Sequence, residues 1–271
     1  MTLITSTPTS AVTHDGPLLV VSVSDAAAGS ALSAPAMREG ATALREVAGG
    51  QRDAGAILLV GSGRNFCAGG NVRNFASAEH RPTYLREIAD TFHAFITALL
   101  EAQRPIVAAV NGWAAGAGLS LVLHSDIAIG GTSTKLRPAY LGIGLSPDGG
   151  MSWTLPRAVG AARAREIILT NRIIDAEEAT RIGILSRVVD DDAVDETAAQ
   201  VARTLADGPR AAISAARSLL LNSSGTTLRD QLDAEARAIS ANSGTPEGIE
   251  GVDAFIGKRA PDFVAARARE A

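Results

Sequence analysis

Two segments place bare peptide groups where chemistry can use them: AILLVGSGRNFCAGGNV (56–72) and PIVAAVNGWAAGAGLSLVL (105–123). In each, an apolar β-type run enters a glycine-rich turn and then a helical pattern. Such a turn leaves backbone N–H groups exposed at a helix start. Together with the positive end of the helix dipole, these donors suit an anion, or an oxygen that becomes anionic during a reaction. If both turns face one point they form a two-donor oxyanion hole; the alternative is that their glycines only allow tight turns and close helix packing. Neither turn reads G-x-G-x-x-G, and G-x-x-x-x-G-K-[ST] is absent, so dinucleotide and P-loop readings fail on the residues themselves.

Other reactive residues read more plainly. Ser120 and His124 are four apart with Asp126 close by, which invites a triad, but no G-x-S-x-G elbow accompanies them, and a buried serine bonding its preceding turn is the expectation. Cys67, the only cysteine, cannot form an intrachain disulfide and has no identifiable activating histidine, so it reads as a small buried thiol. The four histidines are too scattered to complete a zinc spacing, and no metal is expected. On local grounds Asp148, just before Gly149-Gly150, reads as a helix cap.

The elements that position these residues alternate short β-branched runs with longer helical patterns, the signature of an α/β architecture. Strands are predicted at LLVVSV (18–23), AILLV (56–60), PIVAAV (105–110), SDIAIG (125–130) and SRVV (186–189). Leu85, Ile88, Phe92, Phe95, Ile96 and Leu99 recur at helical spacing after Pro82, giving a helix with one apolar face. Asp175 with Glu178 resembles a capping box, and Gly183 ends that helix. From about residue 191 the strands stop. Val194, Ala198, Val201 and Leu205, then Ile213, Ala216 and Leu220, then Leu228, Leu232 and Ile239 mark three amphipathic helices, and Thr245-Pro246 opens a fourth carrying Ile249, Val252 and Phe255. This tail has too little core to stand alone and must pack on the α/β part or on another subunit.

A chain of 271 residues, 46% hydrophobic and 20% charged with a formal charge of -4, describes a globular protein and excludes disorder as its main state. A mildly acidic balance without a run of basic residues offers no footprint for nucleic acid or an anionic membrane. The stretch from Ile106 to Leu123 is uncharged and contains Gly112-x-x-x-Gly116, a membrane-helix pattern. Its β-rich start, Asn111-Gly112 turn and lack of a flanking lysine cluster favour a buried strand, turn and helix instead. Residues 1–16 have neither the basic start nor the apolar core of a signal peptide and read as a flexible leader before a 17–200 core and a 201–271 helical region; with one cysteine, a reducing, cytoplasmic setting is expected.

GSGRNFCAGGNV resembles the G-x-x-F-C-A-G-x-D segment of the crotonase (enoyl-CoA hydratase/isomerase) family, and RPIVAAVNGWAAGAGLSLVLHSDIAI its K-P-x-I-A-A-V-N-G-x-A-x-G-G-G segment. The likeness continues in order through 142–160, 169–189 and 246–263. It implies an α/β, crotonase-like spiral of ββα units with an all-helical C-terminal oligomerisation region, trimers or paired trimers (a homotrimer or hexamer), and an acyl-CoA thioester as substrate. Coenzyme A would enter as part of that substrate, with no separate cofactor. The thioester oxygen would meet two peptide N–H groups, those of Gly70, after Ala68-Gly69, and of Ala117, after Gly116. Tyr140, with Trp113 and Trp153, would line the acyl pocket or fill the core, and Lys258 matches a basic residue that can approach the CoA phosphates.

The resemblance also shows what is missing. The family's hydratases carry two glutamates, in slots that here hold Ser120 and Ala139. An alanine cannot transfer a proton, and a serine hydroxyl is a poor base without a partner, so two-glutamate hydration lacks its groups. A third acid slot of the family, after G-L-x-P, is filled by Asp148. One carboxylate suffices for a 1,3-proton shift through a dienolate held in the hole, so an isomerase-type reaction is expected. Hydration of a 2-enoyl-CoA, thioester hydrolysis and CoA binding without turnover are the alternatives for the same pocket.

Overall fold

The computed structural model describes residues 10–269. The chain enters through β1 (Val12–Asp15), which turns at Gly16 and pairs antiparallel with β2 (Leu18–Ser22). The leader read over 1–16 is therefore corrected: residues 1–9 lie outside the described residues, and the remainder forms an edge strand. Its anchorage is local, with the Ser22 N–H donating to Ala11 O at 2.8 Å and Ala11 and Val12 packing on the core.

A small ladder of β3 (Ser24–Asp25) and β4 (Ala31–Leu32) leads into α1 (Ala34–Ala48), which Ser33 caps by accepting the Ala36 N–H. There follow β5 (Ala56–Val60), α2 (Val72–Ser77), α3 (Arg81–Glu101), β6 (Ile106–Val110), β7 (Trp113–Ala115), α4 (Ala117–His124), β8 (Ile127–Gly131) and β9 (Lys135–Arg137). The chain continues through α5 (Met151–Val159), α6 (Ala161–Thr170), β10 (Ile174–Asp175), α7 (Ala176–Arg181), β11 (Arg187–Val189) and α8 (Val194–Asp207).

The main sheet has the order β1-β2-β5-β6-β8-β11, parallel throughout except for β1. All five predicted strands lie in it, slightly shifted or shortened at their ends. The near-continuous apolar sequence of β2, β5 and β6 has a physical cause: alternate residues feed two cores. Leu19, Ile57, Leu59, Ile106 and Ala108 join the cluster under α1, α3 and α4, whereas Leu18, Leu58, Val107 and Ala109 meet the Val194, Ala198, Ala202 and Ala206 stripe of α8. A second sheet, β10-β9-β7, was not legible beforehand. It splits the uncharged 106–123 run into β6, β7 and α4 rather than a simple strand, turn and helix. No helix among the described residues is long and apolar enough to cross a membrane.

Asp175 caps α7, its carboxylate accepting the Glu178 N–H at 2.9 Å. The reciprocal half of a capping box is missing, because the Glu178 carboxylate pairs with Arg172 instead. Helix α8 runs through residue 200 and packs on the sheet, so the boundary drawn there cuts an element of the core. Beyond it lie α9 (Arg210–Asn222), α10 (Leu228–Ser243), α11 (Pro246–Ile256) and α12 (Phe263–Ala268). These helices hold on mainly through polar contacts. Arg217, almost fully buried, pairs with Asp126 at 2.7 Å, and the same carboxylate oxygen accepts the Ile106 N–H at 2.7 Å, closing the head of β6.

Asp126→Ala removes both contacts, leaving a buried guanidinium with only a long bond to Leu100 O and a strand N–H without a partner. A stability loss of about 3 kcal/mol is expected in denaturant unfolding, with Arg217→Met costing less because the Ile106 bond survives.

Candidate active site

The two glycine-rich turns are laced together by their backbones. The Cys67 N–H donates to Trp113 O at 3.1 Å and the Ala115 N–H to Cys67 O at 2.9 Å, continuing a bridge between Cys67 and Ala114. The glycines are required by this closeness. Gly116 has φ +54°, where a side chain would strain the backbone, and a Cβ on Gly118 would lie 2.2 Å from Cys67 O. Ala117 is the first residue of α4, so its N–H has no partner within the helix. Among the described residues neither the Ala117 N–H nor the Gly70 N–H donates a hydrogen bond to the protein.

Both residues border one cavity of about 310 Å³, also lined by Ala68, Gly69, Gly116, Ala139, Tyr140 and Asp148. Its remaining wall is apolar: Leu32, Val72, Phe75, Leu85, Ile88, Ala89, Phe92, Ile143 and Leu145, with Ser146 at the edge. A neighbouring space of about 200 Å³ shares Leu32, Gly70, Phe75, Ile88 and Phe92 and is edged by Asp25, Ser33, Asn71, Asn74 and Thr91.

Among the described residues Asp148 is the only carboxylate lining the larger cavity. It does not serve as a cap: α5 begins at Met151 behind Gly150, with no side-chain cap bond. Instead its Oδ1 accepts the Tyr140 O–H at 2.6 Å. Burial, reinforced by the Asp148 carboxylate, pushes the Tyr140 phenol far above its ordinary range, so it keeps its proton. Ser120, fully buried, does not line the cavity; its hydroxyl donates to Asp148 O at 3.1 Å, as well as approaching Gly116 O at 3.4 Å.

The Ser120, His124 and Asp126 trio does not assemble. His124 Nε2 donates to Gly149 O at 2.9 Å, and burial holds its pKa below the usual value, while Asp126 faces Arg217. Cys67 is buried, and desolvation pushes its thiol up to about 12, which leaves no thiolate for nucleophilic work. Of the three aromatic residues considered, Tyr140 lines the cavity; Trp113 is partly exposed, and Trp153 is exposed with Arg157 stacked on it at 3.6 Å. Lys258 stands on the exposed turn after α11 and is not part of the cavity lining. Sequence reasoning missed Phe75 and assigned Leu85, Ile88 and Phe92 to a helix face without saying that this face borders a cavity. A helical apolar stripe looks the same whether it meets a core or a ligand.

The α/β core with its helical C-terminal region is crotonase-like in fold. The family model for enoyl-CoA hydratase/isomerase matches residues 14–266, and the chain belongs to that family, which acts on acyl-CoA substrates. It is 37% identical over 209 residues to the 1,2-epoxyphenylacetyl-CoA isomerase of Escherichia coli, covering 76% of this chain and 80% of the relative. It is 39% identical over 229 residues to a Rhodobacter capsulatus protein named "Probable enoyl-CoA hydratase", covering 84% and 87%. The crystal structure of an enoyl-CoA hydratase from a Polaromonas species superposes with a TM-score of 0.86 at 30% identity, covering 92% of this chain and 97% of that one.

Ala117→Pro deletes one amide hydrogen at a position where helices accept proline, after a glycine with no Cβ to clash. Retained thermal stability with a loss of about 10²–10³ in turnover is the expected outcome, checked by melting and steady-state kinetics.

Proposed function

We propose that this protein is an isomerase of unsaturated acyl-CoA thioesters, moving a proton between C2 and C4 with Asp148 as the carrier. In this reading the thioester oxygen of a 3-enoyl-CoA sits against the Gly70 and Ala117 amides. Asp148 removes a C2 proton, and the electron pair spreads over C2, C3, C4 and the thioester oxygen as a dienolate. The protonated Asp148 then returns the proton to C4, leaving the double bond between C2 and C3 and the carboxylate regenerated. Every atom is accounted for within substrate and Asp148, and coenzyme A takes part as the substrate's handle only.

The observation that carries this reading is the cavity's single carboxylate. It borders the same space as the two amides, while the slots for a second acid hold Ser120, which is not part of the cavity lining, and Ala139. The kinship with a relative named as an isomerase supports it. Hydration is the second reading, favoured by the relatives named as hydratases. It would require Asp148 alone to activate water and to protonate the enolate, or Ser120 to assist.

The C-terminal helices support a further part of this reading, association of the chain with copies of itself. Helix α10 buries none of its residues, and Leu220 (75% exposed), Leu228 (75%), Leu232, Ile239 and Phe255 (86%) turn apolar surface outward. Faces of this kind mark interaction sites, and they fit the trimer or hexamer implied by the family likeness.

Asp148→Asn keeps the shape and an oxygen for Tyr140 but cannot take a proton. Conversion of 3-enoyl-CoA to 2-enoyl-CoA, followed by the absorbance of the conjugated thioester, is expected to drop by about 10²–10⁴ with KM little changed. Formation of a 3-hydroxyacyl-CoA from 2-enoyl-CoA as the only reaction, unaffected by Asp148→Asn, would overturn the proposal. Separately, Leu232→Glu combined with Ile239→Glu is expected to lower the mass measured by light scattering towards that of one chain.

A further inference from the structure

The backbone around Asp148 is braced from three directions. Ser120 Oγ donates to Asp148 O at 3.1 Å, the Gly149 N–H donates to His93 Nε2 at 3.1 Å, and Gly149 O accepts from His124 Nε2 at 2.9 Å. The side chain has much less support. Its one hydrogen bond among the described residues runs from the Tyr140 hydroxyl to Oδ1 at 2.6 Å, and Oδ2 has no partner there. A carboxylate on a rigid backbone, tied through one oxygen, has a single orientation and a single free oxygen.

Tyr140 is itself held by a turn that departs from ordinary backbone geometry. Ala139, just before it, has φ +68°, a left-handed conformation that residues bearing a Cβ avoid. The Ala139 N–H is tied to Asn171 Oδ1 at 2.8 Å, and the Asn171 main-chain oxygen accepts from Arg137 Nε at 2.9 Å. Asn171 is buried and also left-handed, at φ +52°, which asparagine tolerates at the end of α6. A strained residue pinned by a buried side chain beside a cavity marks a turn whose shape the site needs.

We propose that Tyr140 is the positioning residue for Asp148: its hydroxyl holds Oδ1 so that only Oδ2 meets the acyl carbons, and the Asn171-pinned turn at Ala139 holds Tyr140 in place. The inference rests on Asp148 being the proton carrier. No proton moves on Tyr140. When Oδ2 has taken a proton from the substrate, Oδ1 is the carbonyl oxygen of a neutral acid and still accepts the same hydrogen bond. One contact thus keeps the geometry for both halves of the transfer. Burial and the adjacent carboxylate keep the phenol protonated throughout.

The test is a double-mutant cycle of Tyr140→Phe and Asp148→Asn on the full-length protein, with a 3-enoyl-CoA deuterated at C2 as the probe. Two rates are followed: loss of deuterium from C2, which reads proton removal, and appearance of the 2-enoyl product, which reads the 1,3-shift. Tyr140→Phe is expected to lower kcat for both about 10- to 100-fold, the value of a hydrogen bond to a charged group, with KM and melting temperature close to the parent. In the Asp148→Asn background the same change is expected to have no further effect. Unchanged kcat in Tyr140→Phe, or effects of the two substitutions that multiply, overturns the role given to Tyr140 while leaving Asp148 as the carrier. Deuterium loss without product in the parent protein overturns the 1,3-shift, yet the cycle still decides Tyr140's role from the deuterium rate. No deuterium loss in the parent overturns both.

Discussion

The proposed site depends on two peptide N–H groups, those of Gly70 and Ala117, which border one cavity and have no acceptor among the described residues. An unpaired buried donor costs about 1–3 kcal/mol, so folded chains pair nearly all of them. Here several neighbouring groups are paired with one another and leave these two out. Cys67 and Ala115 use their N–H groups to lace the two turns, Gly116 donates to Arg137 O at 3.0 Å, and the helix that starts at Ala117 has no use for its first N–H. Both turns are thus held by their own backbones, and donors fixed in this way act most strongly on an oxygen whose negative charge grows during reaction, the role proposed for them here.

A site made from backbone groups, as proposed here, places few demands on side chains, and this explains what the sequence did and did not disclose. Glycine spacing and a strand entering a helix define the two turns, the likeness to a family picks out Gly70 and Ala117 within them, and an alanine can stand at the second place because a peptide donor needs no particular side chain. The carboxylate was another matter. By local pattern Asp148 is a helix cap, and only the likeness to a family moved it to a pocket; its bond to Tyr140, eight residues earlier, has no periodic signal. His93 and His124, which brace Gly149, lie on α3 and α4 and meet it only through tertiary packing.

The fold was legible to a similar depth. Strands whose faces both meet helices read as near-continuous apolar runs, so β2, β5, β6 and β8 stood out, whereas the edge strand β11 was marked only by Val188 and Val189. The short strands β7, β9 and β10 carry Trp-Ala-Ala, Lys-Leu-Arg and Ile-Asp, runs of two or three residues too short for an alternation to stand out. They owe their form to the segments they pair with, and the Gly116 N–H reaches Arg137 O to extend the ladder towards the second glycine-rich turn. The amphipathic helices near the C-terminus were evident from their spacing, but spacing could not say which apolar faces would be covered.

That last distinction separates α8 from the helices after it. Helix α8 buries an alanine-rich stripe flat on the sheet, where small residues allow close approach. Helices α9, α11 and α12 attach through charges: Arg217 with Asp126, Arg210 with Asp53 at 2.6 Å, and Arg267 with Glu247, whose carboxylate also accepts the Arg210 and Ala211 N–H groups. Ion pairs that are partly buried contribute little net stability, because desolvation offsets most of their attraction, but they fix orientation well. A tail held this way has a defined direction and keeps its large apolar side chains free. Had Leu220, Leu232 and Phe255 faced the core instead, the chain would bury more apolar surface and be more stable alone.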